Sequence, residues 1–219
     1  MLVQIYEVQT SEEAVALVRL GVDHIGVLVG DGMFPRELSV AQTNAIFAAV
    51  PAGKKRVALS LSADLEEVAR VVRETQPDII QLQAPIDDFS VAMTRALKTR
   101  FPRVLIMQAI PVIDETSIKT GASFQGVADF LLLDSWDPGT RQFGALGRTH
   151  DWSLSRRIIE DVGIPAILAG GLGPENVAEA IAVVRPAGVD SKTKTDRAGG
   201  PGKDLAKVEA FVAAAKLTT

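Results

Sequence analysis

The sequence contains no cysteine among its 219 residues and only two histidines, His24 and His150. These absences exclude disulfide bonds, thiolate metal sites, a thiol nucleophile and a histidine-rich metal site. No apolar run reaches the ~20 residues that a helix needs to span a bilayer, and the first residues do not form a signal-peptide pattern. We therefore expect a cytoplasmic protein that binds no membrane and needs neither a metal nor another cofactor.

Concentrated charge is also lacking. The formal net charge is −4, and the basic residues are scattered rather than gathered into a stripe, which argues against a nucleic-acid partner. Hydrophobic residues, in contrast, make up 47% of the chain, enough to bury the core of one domain over residues 1–219. We expect that domain to be a monomer or a homodimer.

Short apolar runs alternate with helical patterns eight times along the chain. Near-continuous apolar strands separated by helices are typical of a parallel sheet covered by helices. Eight such units in one compact chain favour closure into a (β/α)8 TIM barrel. An open doubly wound sheet is the alternative, but it usually carries a glycine-rich fingerprint after the first strand, and residues 3–10, VQIYEVQT, contain no glycine.

Active sites in such barrels are built from the loops that follow the strands, so polar residues at strand ends are candidates for catalysis. Asp134 follows three leucines, and burial beside them would raise its pKa and favour its use as an acid. Tyr6 and Glu7 end the first strand, and either could handle protons. Glu7 is the easier base, because a tyrosine pKa of ~10 lies far above neutrality. Alternatively, Tyr6 only covers the barrel mouth and Glu7 is solvated.

Other strand-end residues are candidates for binding the substrate. Arg36 follows Pro35 in the second loop and carries a guanidinium suited to a carboxylate or phosphate, although a surface salt bridge is the alternative. Gln81, Gln83 and Gln108 offer neutral amides that could hold substrate hydroxyls or hydrogen-bond one another inside the barrel.

The last two loops predict a phosphate site. Residues 169–177, AGGLGPENV, place glycines at a strand end and then a proline that opens a helix, whose free N–H groups suit an anion. The next strand is followed by Lys192, Thr193 and Lys194, which are rich in donors. Phosphate sites in this fold frequently use these two loops, so we predict a phosphorylated small molecule as the ligand.

Several segments together resemble the phosphoribosylanthranilate isomerases of the ribulose-phosphate-binding barrel superfamily: GVDHIGVLV, DIIQLQ, DFLLLDS, LAGGLGPENV and GVDS. That family serves tryptophan biosynthesis. It opens a phosphorylated aminoribose ring by an Amadori rearrangement, an aldose–ketose isomerisation with an aspartate as acid and a cysteine as base. The resemblance implies that Asp134 is the acid and that Arg36 meets the anthranilate carboxylate. It assigns four residues to the phosphate region: Gly170, Gly171, Gly173 and Asn176.

Four segments depart from the family's pattern. The family's Lys-Ile-Cys-Gly reads Gln-Ile-Tyr-Glu at residues 4–7, so Tyr6 or Glu7 would have to supply the base. Gln83 stands where a histidine is usual, residues 144–147 replace a glycine-threonine loop, and residues 192–194 replace Ser-Ser-Gly. Loss of a general base costs ~10² to 10⁴ in rate. Two alternatives to the isomerase therefore stay open: a non-catalytic or regulatory barrel that binds a phosphorylated metabolite, and another sugar-phosphate epimerase or lyase.

Overall fold

Eight parallel strands close into a barrel in the computed structural model, which describes residues 1–137, 139, 142–144 and 146–217. This confirms the predicted (β/α)8 fold. The barrel strands are β1 (Leu2–Ile5), β2 (His24–Leu28), β3 (Lys55–Ser60), β4 (Ile79–Leu82), β5 (Leu105–Pro111), β6 (Phe130–Asp134), β9 (Ala166–Leu168) and β10 (Gly188–Ser191). The order around the barrel is β1-β10-β9-β6-β5-β4-β3-β2, so the first strand pairs with the last.

Eight α-helices follow the barrel strands, and side-chain caps set several of their starts. The Thr10 hydroxyl accepts a hydrogen bond from the Glu13 N–H at 3.1 Å, and Ser39 forms a capping box with Gln42. Such caps satisfy N–H groups that the first turn leaves unpaired. The helices are α1 (Ser11–Arg19), α2 (Val40–Ala48), α3 (Leu65–Thr75), α4 (Val91–Arg100), α5 (Thr116–Ala122), α6 (Trp152–Val162), α7 (Val177–Val184) and α8 (Leu205–Leu217).

The long sixth loop contains a small antiparallel ribbon that the sequence did not predict. Its strands are β7 (Trp136–Asp137) and β8 (Gln142–Phe143). Ala145, which belongs to the segment that departs from the family's glycine-threonine loop, lies outside the described residues. Among the helices in the described ranges, none is both long and apolar enough to cross a membrane.

Side chains alternate between the barrel interior and the helices, and this alternation decides which polar residues can reach the site. On β5, Met107 and Ala109 belong to the interior cluster, whereas Ile106 and Ile110 belong to the larger cluster beneath the helices. Gln108 therefore faces the helices, where its Nε2 donates to the Ala109 carbonyl at 3.2 Å. The expectation that Gln108 binds substrate is wrong, because its side chain faces the helices and not the cavity. The apolar residues on both sides of Gln108 in the sequence do not reveal which face it takes.

At the barrel mouth the Tyr6 ring lies directly over Gly26. A Cβ added at Gly26 would stand 2.9 Å from two ring carbons of Tyr6. Gly26→Ala should therefore lower the free energy of unfolding by about 1–3 kcal/mol, the usual cost of overpacking a core, as measured by urea denaturation. Gly200→Ala is the control, since nothing lies within 4 Å of that position.

A double-mutant cycle identifies the cause. In a Tyr6→Ala background the ring is gone, so the cost of Gly26→Ala should fall by more than half. An equal cost in both backgrounds would show that the ring is not the obstacle.

Candidate active site

A cavity of about 690 Å³ opens at the carboxyl ends of the barrel strands. Its lining comes from loops that are far apart in sequence, which is the arrangement expected for a site in this fold. It brings together most of the residues predicted from the sequence: Tyr6, Glu7, Arg36, Gln81, Gln83, Asp134, Gly170, Gly171, Lys192, Thr193 and Lys194. Gly173 and Asn176 stand behind the lining of this cavity, in the loop that carries Gly171.

Asp134 ends β6 and presents a buried carboxyl to the cavity; only 7% of the residue is exposed. Burial raises its pKa from 3.8 to about 6, although hydrogen bonds from Ser135 and Gln83 act in the opposite direction. The Ser135 N–H donates to Oδ1 at 2.7 Å. A carboxyl with this pKa keeps a protonated fraction near neutrality, so it can donate a proton.

Gly144 covers Asp134 from the ribbon of the sixth loop. Its N–H donates to the Ser135 carbonyl at 2.9 Å, and its φ is 72°. A Cβ at this position would stand 2.3 Å from Oδ2 of Asp134 and 2.8 Å from Nε2 of Gln83. Only glycine lets the backbone approach the carboxyl this closely, and the approach helps to keep water away from it.

A chain of side-chain amides leads from the barrel interior to Asp134. Nε2 of Gln4 donates to Oε1 of Gln81 at 3.3 Å, and Nε2 of Gln81 donates to Oε1 of Gln83 at 2.8 Å. Gln83 then donates to Asp134. Nδ1 of His24 lies 3.1 Å from Oε1 of Gln4, and because that oxygen only accepts, Nδ1 carries the proton. Gln83 is thus the amide that contacts Asp134, and Gln4, at the other end of the chain, also hydrogen-bonds Asp190.

Asp190, on β10, is a cavity residue that the sequence analysis missed. It lies beside Gln4 across the β1–β10 pairing and is 8% exposed. Its pKa is raised to about 7, mainly by burial and also by repulsion from Asp134, while a hydrogen bond from Gln4 and the charges of Lys203 and Lys192 act in the opposite direction. Its Oδ1 is buried with no hydrogen-bond partner among the described residues. Asp190 lies two residues after Gly188, which faces Leu2 and Ile167, and so shares its interior face.

Tyr6 faces the cavity as a neutral phenol. Burial raises its pKa well above 10, and the charges of Asp190 and Glu7 raise it further. Its buried hydroxyl has no hydrogen-bond partner in the part of the chain that the structure describes. These surroundings hold the proton on Tyr6, so they suit it to donate a hydrogen bond to a ligand rather than to accept a proton.

Glu7 belongs to a closed ring of charged groups, here called the charge ring. Its Oε1 pairs with Nζ of Lys192 and its Oε2 lies 3.2 Å from Nη1 of Arg36. The same Nη1 lies 2.7 Å from Oδ2 of Asp196, and Oδ1 of Asp196 lies 2.6 Å from Nζ of Lys203. Nζ of Lys203 also donates to the Lys192 carbonyl at 3.1 Å, which closes the ring.

The charge ring has an excess of positive charge. Three cations face two carboxylates, so one positive charge is left to attract an anion. Two members, Glu7 and Arg36, have φ values of 57° and 67°, which are uncommon for residues other than glycine. Backbone strain of this kind concentrates at functional sites, and the ion pairs of the charge ring help to hold both residues in this conformation.

Hydrogen bonds join the two loops of the predicted phosphate site. Asn176 accepts from the Gly173 N–H at 2.9 Å and donates to the Gly171 carbonyl at 3.1 Å. The Ser191 hydroxyl donates to the Leu172 carbonyl at 2.7 Å. Asn176 therefore shapes the glycine loop from behind, while Gly171 lines the cavity itself.

Comparison with known proteins identifies the family of this chain. Residues 3–214 match the family model described as N-(5'-phosphoribosyl)anthranilate (PRA) isomerase. This chain belongs to the PRA isomerase family. A curated relative from Methanosarcina mazei, named N-(5'-phosphoribosyl)anthranilate isomerase 2, is 35% identical over 99% of this chain and 94% of its own. A PRA isomerase from Methanocella arvoryzae is also 35% identical, over 99% and 98% of the two chains.

Solved structures of PRA isomerases share the barrel. The Thermotoga maritima enzyme superposes with a TM-score of 0.82 at 28% identity over 99% of both chains. Another PRA isomerase structure, with a TM-score of 0.80 at 26% identity over 99% and 98% of the two chains, contains reduced 1-(o-carboxyphenylamino)-1-deoxyribulose 5-phosphate. A further Thermotoga maritima structure, with the same TM-score, identity and coverage, is of monomers generated from a dimeric enzyme.

The buried acid of this PRA isomerase family member should make its stability depend on pH. Because the folded-state pKa of Asp134 lies above its ordinary value, the carboxyl destabilises the fold as pH rises from about 4 through about 6. Asp134→Asn removes this ionisation. Its unfolding free energy relative to the wild type should rise by about 3 kcal/mol between pH 4 and pH 8, measured by urea denaturation.

Asp78→Asn is the matched control with the opposite sign. Burial raises the pKa of Asp78, but its hydrogen bonds and ion pair with Arg56 lower it below the ordinary value overall. This variant should lose stability relative to the wild type as pH rises. A pH-independent difference for Asp134→Asn would contradict the assignment of a buried, titrating carboxyl.

Proposed function

We propose that this chain, acting as one barrel domain over residues 1–219, isomerises phosphoribosylanthranilate or a closely related phosphorylated aminosugar adduct. The observation that carries the proposal is the placement of the buried Asp134 carboxyl in a cavity that is also lined by three members of the charge ring, Glu7, Arg36 and Lys192. Family membership over residues 3–214 supports the same reaction class.

The reaction needs an acid and a base at adjacent atoms of the sugar. The acid gives its proton to the ring oxygen, the bond from that oxygen to C1 breaks with its electron pair on oxygen, and the nitrogen lone pair forms C1=N. The base then takes the proton from C2, and the electrons shift back to nitrogen to give an enolamine that tautomerises to the ketose. Asp134 has the burial and the pKa of about 6 that suit the first step.

The two ends of the substrate carry negative charge, and the cavity offers cations for both. Lys192, Thr193 and Lys194 line the cavity together with Gly170 and Gly171, and we place the phosphate at these two loops. Arg36 lines the cavity from the second loop, on the other oxygen of Glu7 from Lys192, and we place the carboxylate of the aryl group there. The excess positive charge of the charge ring supports an anionic ligand at this end of the barrel.

Asp134→Asn should test the acid. The amide cannot protonate the ring oxygen, so kcat for conversion of phosphoribosylanthranilate to the ketose should fall by ~10² to 10⁴ while KM changes little. The measurement is steady-state turnover of purified wild type and variant. Wild-type protein that binds phosphoribosylanthranilate but does not convert it would contradict the proposed isomerase.

Lys192→Met should test the phosphate end. Losing one charged hydrogen bond of ~1.5–3 kcal/mol should raise KM by ~10- to 100-fold with a smaller effect on kcat. Lys98→Met is the control, because Lys98 pairs with Asp129 away from the cavity and its loss should leave KM unchanged. An unaltered KM for Lys192→Met would remove this lysine from the phosphate site.

A further inference from the structure

We propose that Asp190 is the general base of this site and works with Asp134 as a coupled acid–base pair. The inference rests on the isomerase function proposed above and names the residue that takes the proton from C2.

The cavity offers three carboxyl groups, and their contacts differ. Both oxygens of Glu7 are engaged, one with Lys192 and one with Arg36. Taking up a proton there would break two ion pairs of the charge ring. Asp190, in contrast, keeps Oδ1 without a hydrogen-bond partner among the described residues, in a wall of the cavity. It is therefore the carboxyl that can take up a proton without breaking an ion pair of the charge ring.

Tyr6 does not compete for this role. Its phenol is buried among the apolar Leu28 and Leu59 side chains, and two neighbouring carboxylates further oppose its ionisation. A neutral phenol beside Asp190 instead offers a hydrogen-bond donor to a substrate oxygen. Asp190 lies on β10, and Tyr6 directly follows the neighbouring β1. Each brings a buried atom without a hydrogen-bond partner among the described residues, an acceptor on Asp190 and a donor on Tyr6.

The two aspartates titrate as a pair. The groups that face Asp190 are Gln4 on β1, Tyr6 directly after β1, Asp134 on β6, and Lys192 and Lys203 in the last loop. Repulsion between the carboxyls disfavours the doubly ionised pair, so near neutrality the pair tends to hold one proton. Burial raises the pKa of Asp190 more than that of Asp134, so the shared proton favours Asp190. The reaction uses the less populated state, in which that proton lies on Asp134 and Asp190 is ionised.

The proton balance is then complete without another reactant. Asp134 gives its proton to the ring oxygen as the bond to C1 breaks, and Asp190 takes the proton of C2 as the enolamine forms. The pair ends the step with its single proton moved from Asp134 to Asp190. Solvent exchange resets it after the ketose leaves.

Single-turnover kinetics of Asp190→Asn with phosphoribosylanthranilate should test the inference. We expect the rate to fall by ~10² to 10⁴, because the amide cannot accept a proton. Binding of reduced 1-(o-carboxyphenylamino)-1-deoxyribulose 5-phosphate, the compound present in a related structure, should change less than ~10-fold, showing that the variant folds. Glu7→Gln should mainly weaken substrate binding, and Asp78→Asn, at the opposite end of the barrel, should leave the rate unchanged.

A second measurement needs no turnover. Carbon-13 NMR titration of the aspartate carboxyls should show the pKa of Asp190 lowered in Asp134→Asn, because the repelling charge is gone. An Asp190→Asn rate within tenfold of wild type, a larger rate loss for Glu7→Gln, or an unmoved Asp190 pKa would each overturn the inference alone. A wild type without turnover would instead overturn the proposed function and the inference with it.

Discussion

Pairing between β1 and β10 closes the barrel, and the candidate site depends on this closure. The pairing sets Gln4 beside Asp190 and Ile5 beside Ser191, and the Tyr6 N–H donates to the Ser191 carbonyl at 3.1 Å. Tyr6 and Glu7 therefore meet Asp190 and Lys192, residues from the other end of the sequence. Without the last ladder of hydrogen bonds, the acid at Asp134 would face an open edge of the sheet rather than an enclosed cavity.

Burial inside the closed barrel also sets which polar groups are ionised. The same burial that raises the pKa of Asp134 and Asp190 holds the proton on Tyr6 and lowers the pKa of His24 to about 4, so His24 stays neutral in the barrel interior. Charges that must remain ionised are paired instead. Lys203 is fully buried, and burial lowers its pKa, but Asp196 opposes that shift at 2.6 Å. The site thus separates neutral, titrating groups from permanently paired ones.

The sequence predicted those parts of the structure that depend on local pattern. Eight apolar runs separated by helices predicted the barrel, and the leucines before Asp134 predicted its burial. The side of a strand on which a residue lies is harder to infer when both neighbours are apolar, and for that reason Gln108 was expected in the site. Asp190 was missed in the short segment GVDS, where a single carboxylate resembles an ordinary strand end.

Contacts between distant segments could not be predicted at all. Arg36 was expected to meet a ligand, and the structure adds that it pairs with Glu7 and Asp196. Lys203 gave no signal, because a lysine before a helix is usually solvated, and only the fold shows that it supports the carbonyl of Lys192. The barrel topology decides which of these residues meet. The sequence pattern predicts the barrel but not the individual contacts within it.

The β1–β10 pairing also sets an order of events for a chain made from its N-terminus. Until β10 has been synthesised, β1 and β9 each leave an edge with unpaired backbone groups, a template for wrong pairing with other chains. The enclosed carboxyl pair and the charge ring do not exist in that intermediate, because Asp190, Lys192 and Lys203 have yet to arrive. Asp190, Lys192 and Lys203 therefore arrive with the strand that closes the barrel, so an unfinished chain lacks both these side chains and a paired edge.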